Sequence, residues 1–398
     1  MSSSGLPLID ELLPLCSGNP VMLDTLLSLA SRRDVDHVQA AAGAPNPYDT
    51  ALNEVQHYVS SLDDADLADP LRIQAPISTV LLLTILSFAG PSEDWHHHTS
   101  RVVSLIDCID LTGMKASRSG NFLLMCAAHL DIPAFSVGKT RSSLHAWTKW
   151  DLQNTNGQVS TDGSHPDSSF LPFEVLTGYP VSLVSLIFEA SMSADRSSVD
   201  SSKPADQRYI VSSEAESEQE RDLAWKLQLT LEAWRMPPVP PNMTPMERQA
   251  LYTGWKTMHK ATMLFHMRRK GFRSNLLVLL PTQLAEGARG LVEDIVIGVR
   301  WLLLCWESDQ VPMANAMAWP IAVAGCECGI PGLEAMTDDV DWCLERMIKY
   351  FDMGHLAHLK TLLTSVWAQK QRITETQQGL FMSLELAANL RQLTVPLF

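Results

Sequence analysis

Between Met313 and Gly329 the chain reads MANAMAWPIAVAGCECG, a dense apolar run whose first charge is Glu327. A run like this belongs inside a core, and its Gly-Cys-Glu-Cys-Gly end sets a carboxylate at the edge of that core. Pro320 lacks a backbone donor and disfavours helix at Trp319, so a helix is predicted to begin near Pro320. Upstream, Leu284 to Trp306 is apolar at 284, 288, 291, 292, 295, 296, 299, 302, 303 and 306. That spacing predicts a helix, apolar nearly all round in its second half and therefore buried on most sides. The remaining chain must pack as layers around these two segments.

Those layers read as helices too. Pro76 is expected to open a strongly apolar helix that Gly90-Pro91 stops, and a His-rich segment from Glu93 leads into a helix through Leu111. Thr244-Pro-Met-Glu247 puts Thr at an N-cap, Pro at the first helical position and Glu three after the Thr. It predicts a long helix to about Lys270, with Trp255 and Phe265 inward. Further helices are predicted at Asp338 to Phe351, Leu356 to Lys370 and Glu375 to Leu393. No segment alternates with period two, and no repeat recurs at a fixed period. The expected fold is all-α: a large multi-helix domain over 48–398, a helical N-terminal extension over 1–47, and a mobile Ser/Asp/Glu-rich loop over 192–219, whose composition offers little apolar surface to bury.

Charge narrows the function. Forty-five acids against thirty bases give a net charge of −15, which opposes autonomous binding to a phosphate backbone. Seven scattered cysteines fit reduced, buried thiols better than a disulfide framework. No span of 18 apolar residues predicts a membrane helix, and the acids near the N-terminus argue against a signal peptide. A soluble intracellular protein, nuclear or cytoplasmic, is expected.

Trp319-Pro320 followed by Ala324-Gly325-Cys326-Glu327 resembles the Trp-Pro-x-x-x-Ala-Gly-Cys-Glu signature of the fungal-specific transcription factor domain. That is the helical regulatory region found behind binuclear zinc-cluster DNA-binding modules. Other pieces follow in order. Trp95 to Leu105, with His98, is similar to the family's Trp-x-x-His helix; Leu176-Thr-Gly-Tyr-Pro180 resembles its Leu-Thr-Gly-Cys-Pro turn, with Tyr179 in place of Cys. Trp255 to Met267 matches its long helix, and Leu362 to Trp367 resembles its Leu-Leu-x-x-Val-Trp. The resemblance runs from about residue 50 onward and implies a transcription regulator acting through protein partners, a homodimer among the options, and through a small-molecule effector. Six cysteines in two Cys-x2-Cys-x6-Cys arrays would mark the zinc cluster, and this sequence has none. The expectation is a regulatory domain without its own DNA reader.

The candidate ligand-pocket residues are Trp255, His259, His266, Trp319 and Glu327. His259 and His266 share a helical stripe, as pocket lining or as histidines at a helix–helix contact. Glu327 needs a partner beside an apolar core: a ligand or, as a structural ion pair, Arg300. Arg268, Arg269, Lys270 and Arg273 suit a helix C-terminus and also a nuclear import signal. His96-His97-His98 reads as a solvated helix start, and Asp338-Asp339-x-Asp341 as acids favoured by a helix N-terminus. No catalytic residue, metal site or cofactor is expected. A second class stays open: an enzyme of fungal secondary metabolism on the same scaffold, acting on a small apolar natural product.

Overall fold

The computed structural model describes residues 70–87, 94–138, 143–152, 172–195, 218–239, 243–268, 282–329, 332–351, 353–373 and 383–397, with Met22, Asn53, His57, Ser60, Ser61 and Phe272. Among the described residues the helices are α1 (Pro70–Ser87), α2 (Asp94–Ile106), α3 (Leu111–Ala116), α4 (Arg118–Leu130), α5 (Ala146–Lys149), α6 (Pro172–Thr177) and α7 (Val181–Asp195). Then come α8 (Glu218–Ala233), α9 (Pro245–Met267), α10 (Thr282–Asp309), α11 (Ala318–Gly325), α12 (Glu334–Phe351), α13 (Leu356–Ile373) and α14 (Leu384–Leu390). The fold is all-α, and no described helix is long and apolar enough to cross a membrane.

The centre holds α11 as the apolar pattern predicts, whereas the second half of α10 is not buried on most sides: it keeps one face in solvent, with Ile297 61% and Leu304 46% exposed. All eight residues of α11 are buried, and the helix touches α9, α10, α12 and α13. It follows a 3-10 turn, Pro312–Met317, so the helix starts two residues before Pro320. There the missing N–H falls in the first turn and costs no intrahelical bond. The pair α9–α10 shares the largest helix contact. At Gly298 of α10 a Cβ would stand 2.2 Å from the Thr257 hydroxyl of α9, so only glycine lets these two helices meet there. The Thr244 cap is a full capping box: Thr244 Oγ1 accepts from Glu247 N at 3.2 Å, and Thr244 N donates to Glu247 Oε2 at 2.8 Å.

Some boundaries differ from expectation. The first described long helix opens at Pro70, with Pro76 inside it; Ser78 and Thr79 hydroxyls donate to the carbonyls of Gln74 and Ala75 beside that proline. The helix predicted from Asp338 begins at Glu334, so Asp338, Asp339 and Asp341 lie beyond its first turn. The ends of the 192–219 segment are helical, as the last turn of α7 and the first residues of α8; its middle, 196–217, lies outside the described residues, as does the 1–47 extension apart from Met22.

One piece of β structure joins distant parts of the chain. Strand β1 (Ser136–Val137) pairs antiparallel with β2 (Val395–Pro396), in register Ser136↔Pro396 and Val137↔Val395. Leu397 N extends the pairing to Phe135 O at 3.0 Å. Two residues are too few for alternation to show in a sequence.

Candidate functional site

A helix leaves its last carbonyls without intrahelical partners, and α11 ends inside the core, where water cannot supply them. Helix α13 does. The Trp367 indole N–H donates to Gly325 O at 2.8 Å, and Lys370 Nζ donates to Cys326 O and, at 3.4 Å, to Cys328 O. Trp367 and Lys370 stand three apart on one helical face, so a single helix supplies donors to the carbonyls of Gly325, Cys326 and Cys328. Gly329, at φ +80°, allows the approach, since a Cβ there would lie 3.1 Å from Trp367 Cα. Burial holds the Lys370 ammonium below its ordinary pKa, with Glu327 pulling the other way. Burial also pushes the Cys326 thiol up to about 11, so that thiol stays protonated at neutral pH.

Glu327 lies in this junction, paired with the Arg268 guanidinium. The side chains are 1% and 0% exposed, so neither charge has bulk water to fall back on. The expected partner Arg300 instead pairs with Asp339 and lies 5.2 Å from the Trp342 ring. Arg268 is thereby withdrawn from the basic run considered for nuclear import; Arg269, Lys270 and Arg273 lie outside the described residues. Trp319, fully buried, presents its ring to Phe135 at 5.7 Å and Phe265 at 5.6 Å between centroids.

The α9 stripe holds neighbouring elements in place. Trp255 Nε1 donates to Gly178 O at 2.8 Å, fixing the Leu-Thr-Gly-Tyr-Pro turn. His259 Nε2 lies 2.8 Å from Leu231 O, with its ring stacked on Trp234 at 4.9 Å, and His266 Nε2 lies 3.0 Å from Ala224 O. A carbonyl only accepts, so both rings carry the proton on Nε2; together they attach α8 to α9. Burial lowers the His259 pKa. In the His-rich start of α2, His97 is exposed but His98 is buried, so that start is not solvated throughout. Among the described residues no three His, Cys, Asp or Glu side chains are grouped to hold a metal ion.

The chemistry-bearing space lies elsewhere. A cavity of about 220 Å³ is enclosed by α1, α4, α6, Phe135, Tyr179, the Asn315–Ala316 turn, Met353 and Leu397. None of the five residues singled out in the sequence lines it; Trp319 packs on the lining residue Phe135, and Trp255 bonds to Gly178 between the lining residues Thr177 and Tyr179. Leu81, Leu82, Phe122, Leu123 and Phe173 make its walls apolar. Its exposed members, Ile85, Leu176 and Asn315, mark where it opens.

The ionisable groups of the wall are neutral at pH 7. Burial depresses the His129 pKa to about 3, and the ring packs on Phe135 and Phe173 at 4.6 and 5.6 Å. Burial raises the Tyr179 phenol and the Cys126 thiol. The Tyr179 hydroxyl donates to Ala316 O, and the Thr177 hydroxyl to Phe173 O at 2.9 Å. A base held near 3 and a protonated thiol are poor catalysts at neutral pH. No sequence motif marks this cavity, because its wall is gathered from separate elements by tertiary packing.

The described chain is thus an all-helical body that caps the end of α11 internally and keeps an apolar hollow beside Phe135. The fungal-specific transcription factor domain matches the chain over residues 1–378, and the chain belongs to that family. It is a transcription-regulator-like domain. No curated protein and no solved structure gives a significant match.

Proposed function

We propose that this domain is the control region of a nuclear transcription regulator, taking a small-molecule effector in the cavity beside Phe135 and passing the bound state to protein partners, a second copy of the chain among them. The observation that supports this reading is the cavity itself: an apolar hollow of about 220 Å³ at the edge of the core, open at Ile85, Leu176 and Asn315, whose lining leaves contacts unmade until something fills it. The Tyr179–Ala316 hydrogen bond ties the cavity wall to the turn that feeds α11, a direct mechanical route from an occupant to the signature motif. Contact with partners has surface to use, since Trp225 and Leu229 stand one turn apart on α8, 63% and 46% exposed. DNA contact is left to another module, in keeping with the net charge of −15.

The test fuses residues 1–398 to a heterologous DNA-binding domain in a fungal reporter strain. Output is expected to depend on the fused domain, to fall with Trp225→Asp and to change with Ile85→Trp at the cavity mouth. A fusion whose output ignores both substitutions would remove this reading, and sequence-dependent gel shifts by residues 1–398 alone at physiological salt would remove its statement about DNA.

A further inference from the structure

We infer that the cavity takes an uncharged, compact, largely apolar molecule of about ten non-hydrogen atoms carrying one hydrogen-bonding group, which the Asn315 carboxamide reads at the mouth. The inference rests on the effector reading above and supplies its chemistry. Size comes first. An engineered apolar cavity of about 150 Å³ accepts benzene, so the present volume of about 220 Å³ accommodates roughly half as much again before the occupant emerges from the opening. Charge comes second. Among the described residues no Lys, Arg, Asp or Glu lines the cavity, and an ion desolvated there without a counter-charge would meet a large penalty.

Polarity comes third, and it has a direction. The inner hydroxyls of Thr177 and Tyr179 are already donating to Phe173 O and Ala316 O. Among the described residues of the wall the one carboxamide, Asn315, sits at the exposed end. A ligand with its apolar body inward and a single hydroxyl or carbonyl outward satisfies both ends. Phe122, Phe135 and Phe173 offer ring faces and edges to a flat body.

Three probes of matched shape test this: naphthalene, 1-naphthol and 1-naphthoate, titrated by calorimetry into the full chain at pH 7.5. Expected is 1-naphthol binding about threefold to tenfold tighter than naphthalene, as one added hydrogen bond gives, with 1-naphthoate at least about a hundredfold weaker than 1-naphthol. Asn315→Leu, on an exposed side chain, should erase the preference for 1-naphthol over naphthalene without moving the melting temperature. Ile85→Trp and, as a second blocking variant, Leu176→Trp should weaken both. The inference is overturned if none of the probes binds, if 1-naphthoate binds as tightly as 1-naphthol, or if both blocking variants leave 1-naphthol binding intact. Binding in the expected order with a reporter fusion that ignores 1-naphthol would overturn the effector reading and leave the ligand class standing.

Discussion

On one side of Phe135 stands Trp319, fully enclosed and in edge contact with two phenylalanine rings; on the other lies a cavity of about 220 Å³. In the Trp319 region the polar atoms around the ring are committed, although the buried Trp319 indole N–H itself has no hydrogen-bond acceptor among the described residues. The carbonyls at the end of α11 meet Trp367 and Lys370, and Glu327 meets Arg268. In the cavity the Thr177 and Tyr179 hydroxyls are turned into the wall, Asn315 stands at the mouth, and the space is left open. The sequence signature thus belongs to a filled part of the core, and the open apolar space belongs to a region without a motif.

The sharpest way to break that contrast is to disturb the filled side. Trp319→Ala should cost about 3–5 kcal/mol, since it empties a fully buried ring site. Glu327→Gln should cost a similar amount, about 3–5 kcal/mol, by leaving Arg268 as a buried charge without its carboxylate. Replacing both partners, with Arg268→Met and Glu327→Met, should recover much of that loss. Chemical denaturation of the three variants measures this, and a native-like midpoint for Glu327→Gln alone would show that the pair does not hold the junction.

A smaller effect is expected at the cap. Lys370→Met keeps the apolar stem but leaves the carbonyls of Cys326 and Cys328 without this donor, at about 1–3 kcal/mol. Thermal melts should place it between the Glu327 variant and wild type.

The cavity side can be probed through pH. His129 titrates near 3 in the folded chain against an ordinary 6.5, so as pH falls through 6.5 the unfolded chain binds a proton that the folded chain refuses. Stability from this group is therefore present above 6.5 and lost as pH falls toward 3, with a slope of up to about 1.4 kcal/mol per pH unit. His355, lowered to about 4 by burial, adds to the same trend. His129→Phe keeps a ring in place and should flatten the slope by about one proton between pH 6 and 4. An unchanged slope would mean that the cavity wall is not neutral as described.

The smallest expected change in stability is at the cavity mouth. Ile85→Trp, on a side chain 38% exposed, should alter the unfolding free energy by less than about 0.5 kcal/mol. The same variant should abolish any response to a cavity ligand, so stability and function separate on this side and coincide on the other.

How much of this could be read beforehand follows the same division. Local rules were enough for the Thr244 capping box, whose partners lie three residues apart, and for the burial of α11, which shows as an uncharged apolar run; they overstated α10, where Ile297 and Leu304 stay exposed because no neighbouring helix covers that face among the described residues. Pro76 misled because Pro punctuates helices but does not always start them; the surrounding Ser78 and Thr79 bonds were not visible in the pattern. Arg300 was a reasonable partner for Glu327 by proximity in the chain, yet the neighbour in space is Arg268, and helix crossing decides that. His259 and His266 have the spacing of a pocket stripe and also of an attachment for α8; identical spacing serves both, and only the position of Leu231 O and Ala224 O separates them. The cavity could not be read at all, because residues as distant as Leu81 and Leu397 share one wall.

That distance has a consequence in time. The Thr394 hydroxyl reaches Gly138 O across 256 residues of sequence, and β2 cannot pair with β1 until those residues have been synthesised. Through most of translation the nascent chain therefore holds an unfinished apolar hollow without Leu397, the kind of surface that quality-control factors recognise. A molecule that fits only the closed cavity would stabilise only chains that have completed this pairing. Under the proposed function, the concentration of such a molecule would then set how many copies survive maturation, and the abundance of the protein would report on it.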